Sequence, residues 1–117
     1  MRLNEIVYTG LKPVDGYGPG FFRVAGTVHR GAVALLPSGT TAWGGYGDTA
    51  PFLAEAGGID VLFVGTGAEI APVPPAFRAA LEGAGIGVEV MASATACRAY
   101  NVLLSEGRRI AAALIPV

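Results

Sequence analysis

The run Ile110-Ala111-Ala112-Ala113-Leu114-Ile115 constrains the fold more than any other stretch of the chain. A strand with one wet face alternates apolar and polar residues; an unbroken apolar strand must be covered on both faces. Such a strand belongs in the middle of a sheet, and the other elements must be laid around it.

What leads into it supports that placement. Ser93-Ala94-Thr95-Ala96-Cys97-Arg98-Ala99-Tyr100-Asn101-Val102-Leu103-Leu104 reads as a helix, extending to about residue 106. Gly87-Val88-Glu89-Val90-Met91 reads as the strand before it. Further upstream, residues 59–64 form a nearly all-apolar strand, followed by a loop over 65–73. Pro74-Pro75 opens a helix whose stripe is Phe77, Ala80, Leu81 and Ala84, at i, i+3, i+4 and i+7. The second half thus alternates β-α-β-α-β, the pattern of a sheet that is at least partly parallel with helices against it.

The first half has a different grain. Gly10, Lys12-Pro13, Asp15-Gly16 and Gly18-Pro19-Gly20 punctuate residues 1–19, which are expected to be irregular. Strands are expected at 21–26, 32–37 and 41–43, separated by turns near Arg30-Gly31 and at Ser38-Gly39-Thr40, as an antiparallel meander. Asp48 or Thr49 caps a short helix through about Glu55, with Pro51 in its first turn and Gly57-Gly58 as its stop. The expected class is α/β with α+β character: one domain in three layers, a central mixed sheet with helices packed on it and an N-terminal antiparallel β meander.

Composition sets the remaining bounds. The 117 residues are 52% hydrophobic and 15% charged, enough to bury a core and too apolar for disorder. So few charges also predict exposed apolar surface that a protein partner or a second copy of the chain would cover. Eight basic residues against nine acidic ones cannot build a strongly basic face, which argues against nucleic-acid binding. A single cysteine excludes an internal disulfide and fits a reducing compartment. No apolar run is long enough for a membrane span, and Met1-Arg2-Leu3-Asn4-Glu5 carries no leader pattern, so a cytoplasmic location is expected.

Chemistry is sparse. Gly65-Thr66-Gly67 follows an apolar strand, as a dinucleotide fingerprint does, with Glu89 closing the next strand. That motif must lead straight into a helix N-terminus. Here Pro72, Pro74 and Pro75 delay the helix and the third glycine is missing, so the loop reads as a bend at a strand's carboxyl end. Such strand ends are where α/β sheets hold ligands, and a small anion is the candidate. Cys97 falls in the first turns of its helix if Ser93 is the cap, beside Arg98. Helix position and cation would lower its pKa for nucleophilic work, whereas burial would make it an ordinary core residue. Asn101, mid-helix on the face of Cys97, Tyr100 and Leu104, is expected to tie a neighbouring backbone, with the loop at 65–67 as candidate. Arg98 is the residue best placed to project into a cleft. His29 is expected in or near a turn. Trp43 and Tyr46 are either core lids or partner anchors. Glu106-Gly107-Arg108-Arg109 reads as a helix C-cap with cations at the negative end of the dipole. No catalytic residue, metal site or cofactor is expected.

Taken together, these pieces resemble a family. They are Tyr17-Gly18-Pro19-Gly20-Phe21-Phe22-Arg23-Val24, Val61-Leu62-Phe63-Val64-Gly65-Thr66-Gly67, Pro74-Pro75, Gly87-Val88-Glu89-Val90-Met91, Ala96-Cys97, Tyr100-Asn101, Glu106-Gly107-Arg108 and Ala112-Ala113-Leu114-Ile115-Pro116. The chain resembles, over nearly its whole length, the family of small domains of unknown function that includes the mitochondrial NADH dehydrogenase (complex I) 1 alpha subcomplex assembly factor 3. The resemblance implies a three-layer fold with a central mixed sheet and no known enzyme activity. For the mitochondrial member it implies partner binding during assembly of respiratory complex I. With the domain read from the start and no targeting presequence expected, a bacterial, cytoplasmic protein is the expectation.

Two functions are therefore expected in order. The first is a non-enzymatic protein-interaction module, complex I assembly factor-like. The second is a small-molecule or anion binder, or an enzyme, using a cleft between loop 65–67 and the start of helix 93–106. Its residues would be Gly65, Thr66, Gly67, Cys97, Arg98 and Asn101. A homo-oligomer is compatible with either.

Overall fold

The computed structural model describes residues 12–117. In chain order the strands and helices are β1 (Val14–Gly18), β2 (Phe21–Val24), β3 (Thr27–Arg30), β4 (Val33–Leu36), β5 (Gly39–Ala42), α1 (Ala50–Ala54), β6 (Val61–Gly65), α2 (Pro75–Gly83), β7 (Gly87–Met91), α3 (Ser93–Ser105) and β8 (Ile110–Leu114).

The apolar run lands where its pattern requires. Strand β8 is the middle of a five-stranded sheet in the order β5-β4-β8-β6-β7, and all five of its residues are buried. It runs parallel to β6, which runs parallel to β7, and antiparallel to β4, which pairs antiparallel with β5. Side chains alternate across this sheet with the two-residue period of a strand. Ile110, Ala112 and Leu114 join Val33, Leu35 and Phe63 in one core. Ala111 and Ala113 join Ala34, Leu36, Leu62 and Val64 in the other. The first core is closed by Ala96, Cys97, Tyr100 and Leu104 of α3 and by Val14, Phe22 and Val24 of a small antiparallel sheet, β1-β2-β3. The second is closed by Phe52 of α1 and by Phe77 and Leu81 of α2. The result is three layers: two helices, the mixed sheet, then α3 beside the small sheet.

The first half differs from expectation in membership rather than in kind. Residues 32–37 and 41–43 were expected in one meander with 21–26; β4 and β5 instead belong to the central sheet. The reason is burial: all four β4 residues are covered, which only a sandwiched position supplies. The strand expected over 21–26 stops at Val24. Ala25 and Gly26 turn the chain with φ of 49° and 83°, the left-handed pair that suits a two-residue hairpin. His29, expected in or near a turn, lies within β3 opposite Phe22. Residues 14–18, expected to be irregular, form β1; the same expectation for 1–11 lies outside the described residues, as does the leader reading of Met1-Arg2-Leu3-Asn4-Glu5.

Helix ends follow local chemistry. Pro75 occupies the first turn of α2, where its missing N–H costs nothing. The stripe of α2 is narrower than its spacing suggests: Phe77 and Leu81 are buried, while Ala80 and Ala84 are exposed. Helix α3 ends on Gly107 at φ 76°, with the Gly107 N–H donating to Leu104 O and the Arg108 N–H to Leu103 O. That is the paired bond pattern of a glycine C-cap, as expected. Arg109 does not serve the helix end; its guanidinium donates to both carboxylate oxygens of Asp60, at 2.7 and 3.2 Å, tying the starts of β8 and β6. That partner holds the Asp60 carboxyl below its ordinary range.

Candidate functional site

The carboxyl ends of β6 and β7 meet the N-terminus of α3, where a cleft was expected. The central strand there is β6: Thr66 N–H donates to Met91 O on one side, and Ile115 N–H donates to Gly65 O on the other, both at 2.9 Å. Gly65 permits an unusually close approach of the helix. A Cβ at that position would lie 2.8 Å from the Ser93 Cα and 2.7 Å from its Oγ. Gly67, at φ 108°, then turns the chain back over the helix start.

Ser93 fills the junction. Its N–H donates to Gly67 O at 2.9 Å. Its hydroxyl accepts from Gly67 N–H at 2.8 Å and donates to Ile115 O at 2.5 Å. It is fully buried with its hydroxyl satisfied on both sides, as a buried polar group must be to avoid a desolvation penalty. The expectation that Ser93 caps α3 is corrected here. Ala92 holds the cap position, and the Ser93 hydroxyl serves the loop and β8 instead. Thr66 is equally occupied: its hydroxyl donates to Glu69 O at 2.7 Å and accepts from Ala71 N–H at 3.0 Å.

The six candidate residues are not brought together around a space. Gly65, Thr66 and Gly67 join Ser93 in this clasp. Cys97 lies one turn on, 4% exposed in the α3 core. Burial pushes its thiol up to about 11, while Arg98 pulls weakly the other way. A helix start and an adjacent arginine fail to activate it because desolvation of the thiolate outweighs both. Arg98 is exposed; it bounds a shallow apolar hollow of about 530 Å³ with Thr95, Ala99, Val102 and Leu103. Asn101 ties a backbone as expected, but a different one. Its Oδ1 accepts from Val14 N–H at 2.8 Å and its Nδ2 donates to Val14 O at 2.9 Å. The amide stands in for a strand partner and fastens β1 to α3. Loop 65–67 needs no such tie because Ser93 already holds it.

Other groups resolve more simply. Trp43 is 5% exposed and packs edge-on against Tyr46 and Phe52, with centroids 5.5 and 6.0 Å away, and Tyr46 meets Phe77 at 5.2 Å. The Trp43 indole N–H donates to Asp48 O at 2.9 Å. These aromatics are core lids over α1 and α2. The Tyr100 hydroxyl is buried with no partner among the described residues, and burial raises its pKa. Among the described residues no three His, Cys, Asp or Glu side chains group as metal ligands, and no helix is long and apolar enough to cross a membrane.

Sequence reasoning missed the clasp role of Ser93. The available signal was a small hydroxyl at the helix start, together with a glycine ending a buried strand. Neither is informative until the two are known to touch.

Comparison with known proteins places the chain. A family described as a protein of unknown function (DUF498/DUF598) matches residues 14–115. An uncharacterised protein of Rhodobacter capsulatus is 49% identical over 117 residues, covering 100% of this chain and 94% of that one. The NADH dehydrogenase [ubiquinone] 1 alpha subcomplex assembly factor 3 of Bos taurus is 36% identical over 110 residues, covering 88% of this chain and 60% of that relative. The crystal structure of a protein described as an outer membrane protein from Bartonella henselae superposes with a TM-score of 0.85 at 36% identity, covering 93% of this chain and 98% of that one.

Proposed function

The chain belongs to this family of proteins of unknown function (DUF498/DUF598), and on that premise we propose that it works through surface contacts with other polypeptides, as an assembly factor-like protein for respiratory complex I. The observation that carries this reading is its homology to the assembly factor 3 proteins across most of its length. The closed junction supports it too: between loop 65–67 and the start of α3, where a cleft was expected, Ser93 fills the space.

In this reading Gly65, Thr66 and Gly67 shape a bend, Cys97 fills the core and Asn101 anchors β1. Arg98 remains on the outer surface, open to a partner. The protein acts from the cytoplasmic side. Partner surfaces change more freely than cores, so the partner is to be found by experiment.

The test is deletion of the gene in the organism that encodes this chain, with complex I measured by native gel and NADH oxidation, and with affinity-tagged chain recovered from the same cells. The reading predicts complex I lowered severalfold and one of its subunits or assembly intermediates retained with the tagged chain. Normal complex I together with no retained partner overturns it. Iodoacetamide checks the role assigned to Cys97: no alkylation of the native protein at pH 8, and full alkylation in urea.

A further inference from the structure

The outer face of the small sheet carries a charge pattern that folding does not use. Its make-up follows from register. Phe22 and Val24 are buried toward the core, so Phe21 and Arg23 point outward. Cross-strand pairing sets Gly16 and Val28 on either side of Arg23, and Gly18 and Arg30 on either side of Phe21. Arg23 and Arg30 are thus diagonal neighbours on one face, at a spacing of roughly 7–8 Å.

The two glycines determine how this face is presented. A Cβ at Gly18 would lie 2.5 Å from Cε1 of Phe21 and 2.8 Å from its Cζ; one at Gly16 would lie 3.2 Å from Nη2 of Arg23. The ring and the guanidinium therefore lie close against the bare backbone of β1. Arg23 and Arg30 are exposed, Phe21 is half-buried, and Val28 is 49% exposed.

Among the described residues no carboxylate answers the two cations. The acid nearest in sequence, Asp15, sits at the irregularity in β1 and accepts from Gly26 N–H across the hairpin. The ion pairs among the described residues are Arg78 with Glu82 and Arg109 with Asp60, both elsewhere. Two like charges beside each other on a sheet repel, and no ion pair among the described residues offsets that.

We propose that this face docks an acidic segment of a partner polypeptide, with two carboxylates meeting Arg23 and Arg30 and an apolar side chain between them against Phe21 and Val28. Guanidinium groups pair with carboxylates in bidentate geometry, and Arg23, held over Gly16, gives up little freedom in doing so. Nucleic acid fits less well, because two cations on a chain of net charge −1 do not track a phosphate backbone. This proposal rests on the interaction-module reading and names its surface.

The test is selection of random displayed dodecapeptides on the immobilised full chain, read against two double variants, Arg23→Glu with Arg30→Glu and Arg23→Gln with Arg30→Gln. Thermal melting first checks that both variants fold. The expected result is recovery of peptides carrying at least two acidic residues near an aromatic or aliphatic one. Their affinity should fall at least tenfold in both variants and weaken again as salt rises from 50 to 500 mM. Peptides without acidic enrichment, peptides that bind the variants equally, or a single-stranded DNA dodecamer or phosphatidylserine vesicles binding this face more tightly would overturn the proposal. The Arg23→Glu, Arg30→Glu chain, returned to the deletion strain, separates this claim from the one beneath it. If the deletion lowers complex I and the variant restores it, the surface is wrong and the assembly reading stands. If the deletion leaves complex I normal and the tagged chain retains no partner, the assembly reading fails and the peptide selection alone decides the surface.

Discussion

The two sheets of this protein are built on opposite terms. The five-stranded sheet has a packed layer on each face, and β8 and β4 at its centre are buried at every position. The three-stranded sheet is covered on one face only: β2 buries Phe22 and Val24 and exposes Arg23, while β3 buries nothing fully. The difference teaches where freedom lies. A strand at the centre of that sheet must satisfy two cores at once, one with each alternate residue, through close packing that tolerates little change. A residue on the outer face of the small sheet answers only to solvent and to whatever docks there.

Variants can break or sharpen that contrast. The largest effect is expected at the largest buried side chain of the small sheet: Phe22→Ala should cost about 3–5 kcal/mol in urea unfolding, since Phe22 is fully buried. A loss below about 1 kcal/mol would show the small sheet to be loosely attached. Next is Gly65→Ala, at about 1–3 kcal/mol, because the added methyl meets the Ser93 Cα and a Ser93 hydroxyl held in place by two hydrogen bonds. Asn101→Ala should cost about 1–2 kcal/mol and raise hydrogen exchange selectively at Val14, whose N–H loses its acceptor. The smallest effect is Val28→Thr, within about 0.5 kcal/mol of wild type, on the exposed face.

The buried thiol gives a pH test of the central layer. Folding raises the Cys97 pKa from the ordinary value of 9.0 to about 11. Between those values the unfolded chain releases the thiol proton while the folded chain keeps it, so stability falls as pH rises. The stability contribution is intact below pH 9 and is lost progressively up to about 11. Subtracting the profile of Cys97→Ala from that of wild type should isolate this slope. A flat difference across that window would mean that the thiol is solvated in the folded state.

The contrast also explains what the sequence made legible. Double burial writes an unbroken apolar run, so the central place of residues 110–115 and the β-α-β-α-β alternation were readable directly. The small sheet left a weaker trace. Residues 14–18 hold one buried position, Val14, and two glycines whose use is to lie under Phe21 and Arg23. Glycines in a stretch of turn-forming residues read as turns, and nothing local distinguishes them from a bed for a neighbouring strand's side chains. The same limit governed the junction. The bend at Gly65-Thr66-Gly67 was visible, but Ser93 filling it depends on contacts across 26 residues. Asn101 was visible as an odd polar residue on a buried face, whereas its partner Val14, 87 positions away, was not.

The central claim is that the meeting point of loop 65–67 and α3 is a closed clasp, and that the protein acts through its surface. Native-state hydrogen exchange at the Gly67 and Ser93 amides tests it most directly, since both donate within the clasp. The account predicts exchange as slow as the β8 amides, released only by global unfolding. Exchange orders of magnitude faster than that, at both amides in the native protein, would mean an open cleft and would contradict it.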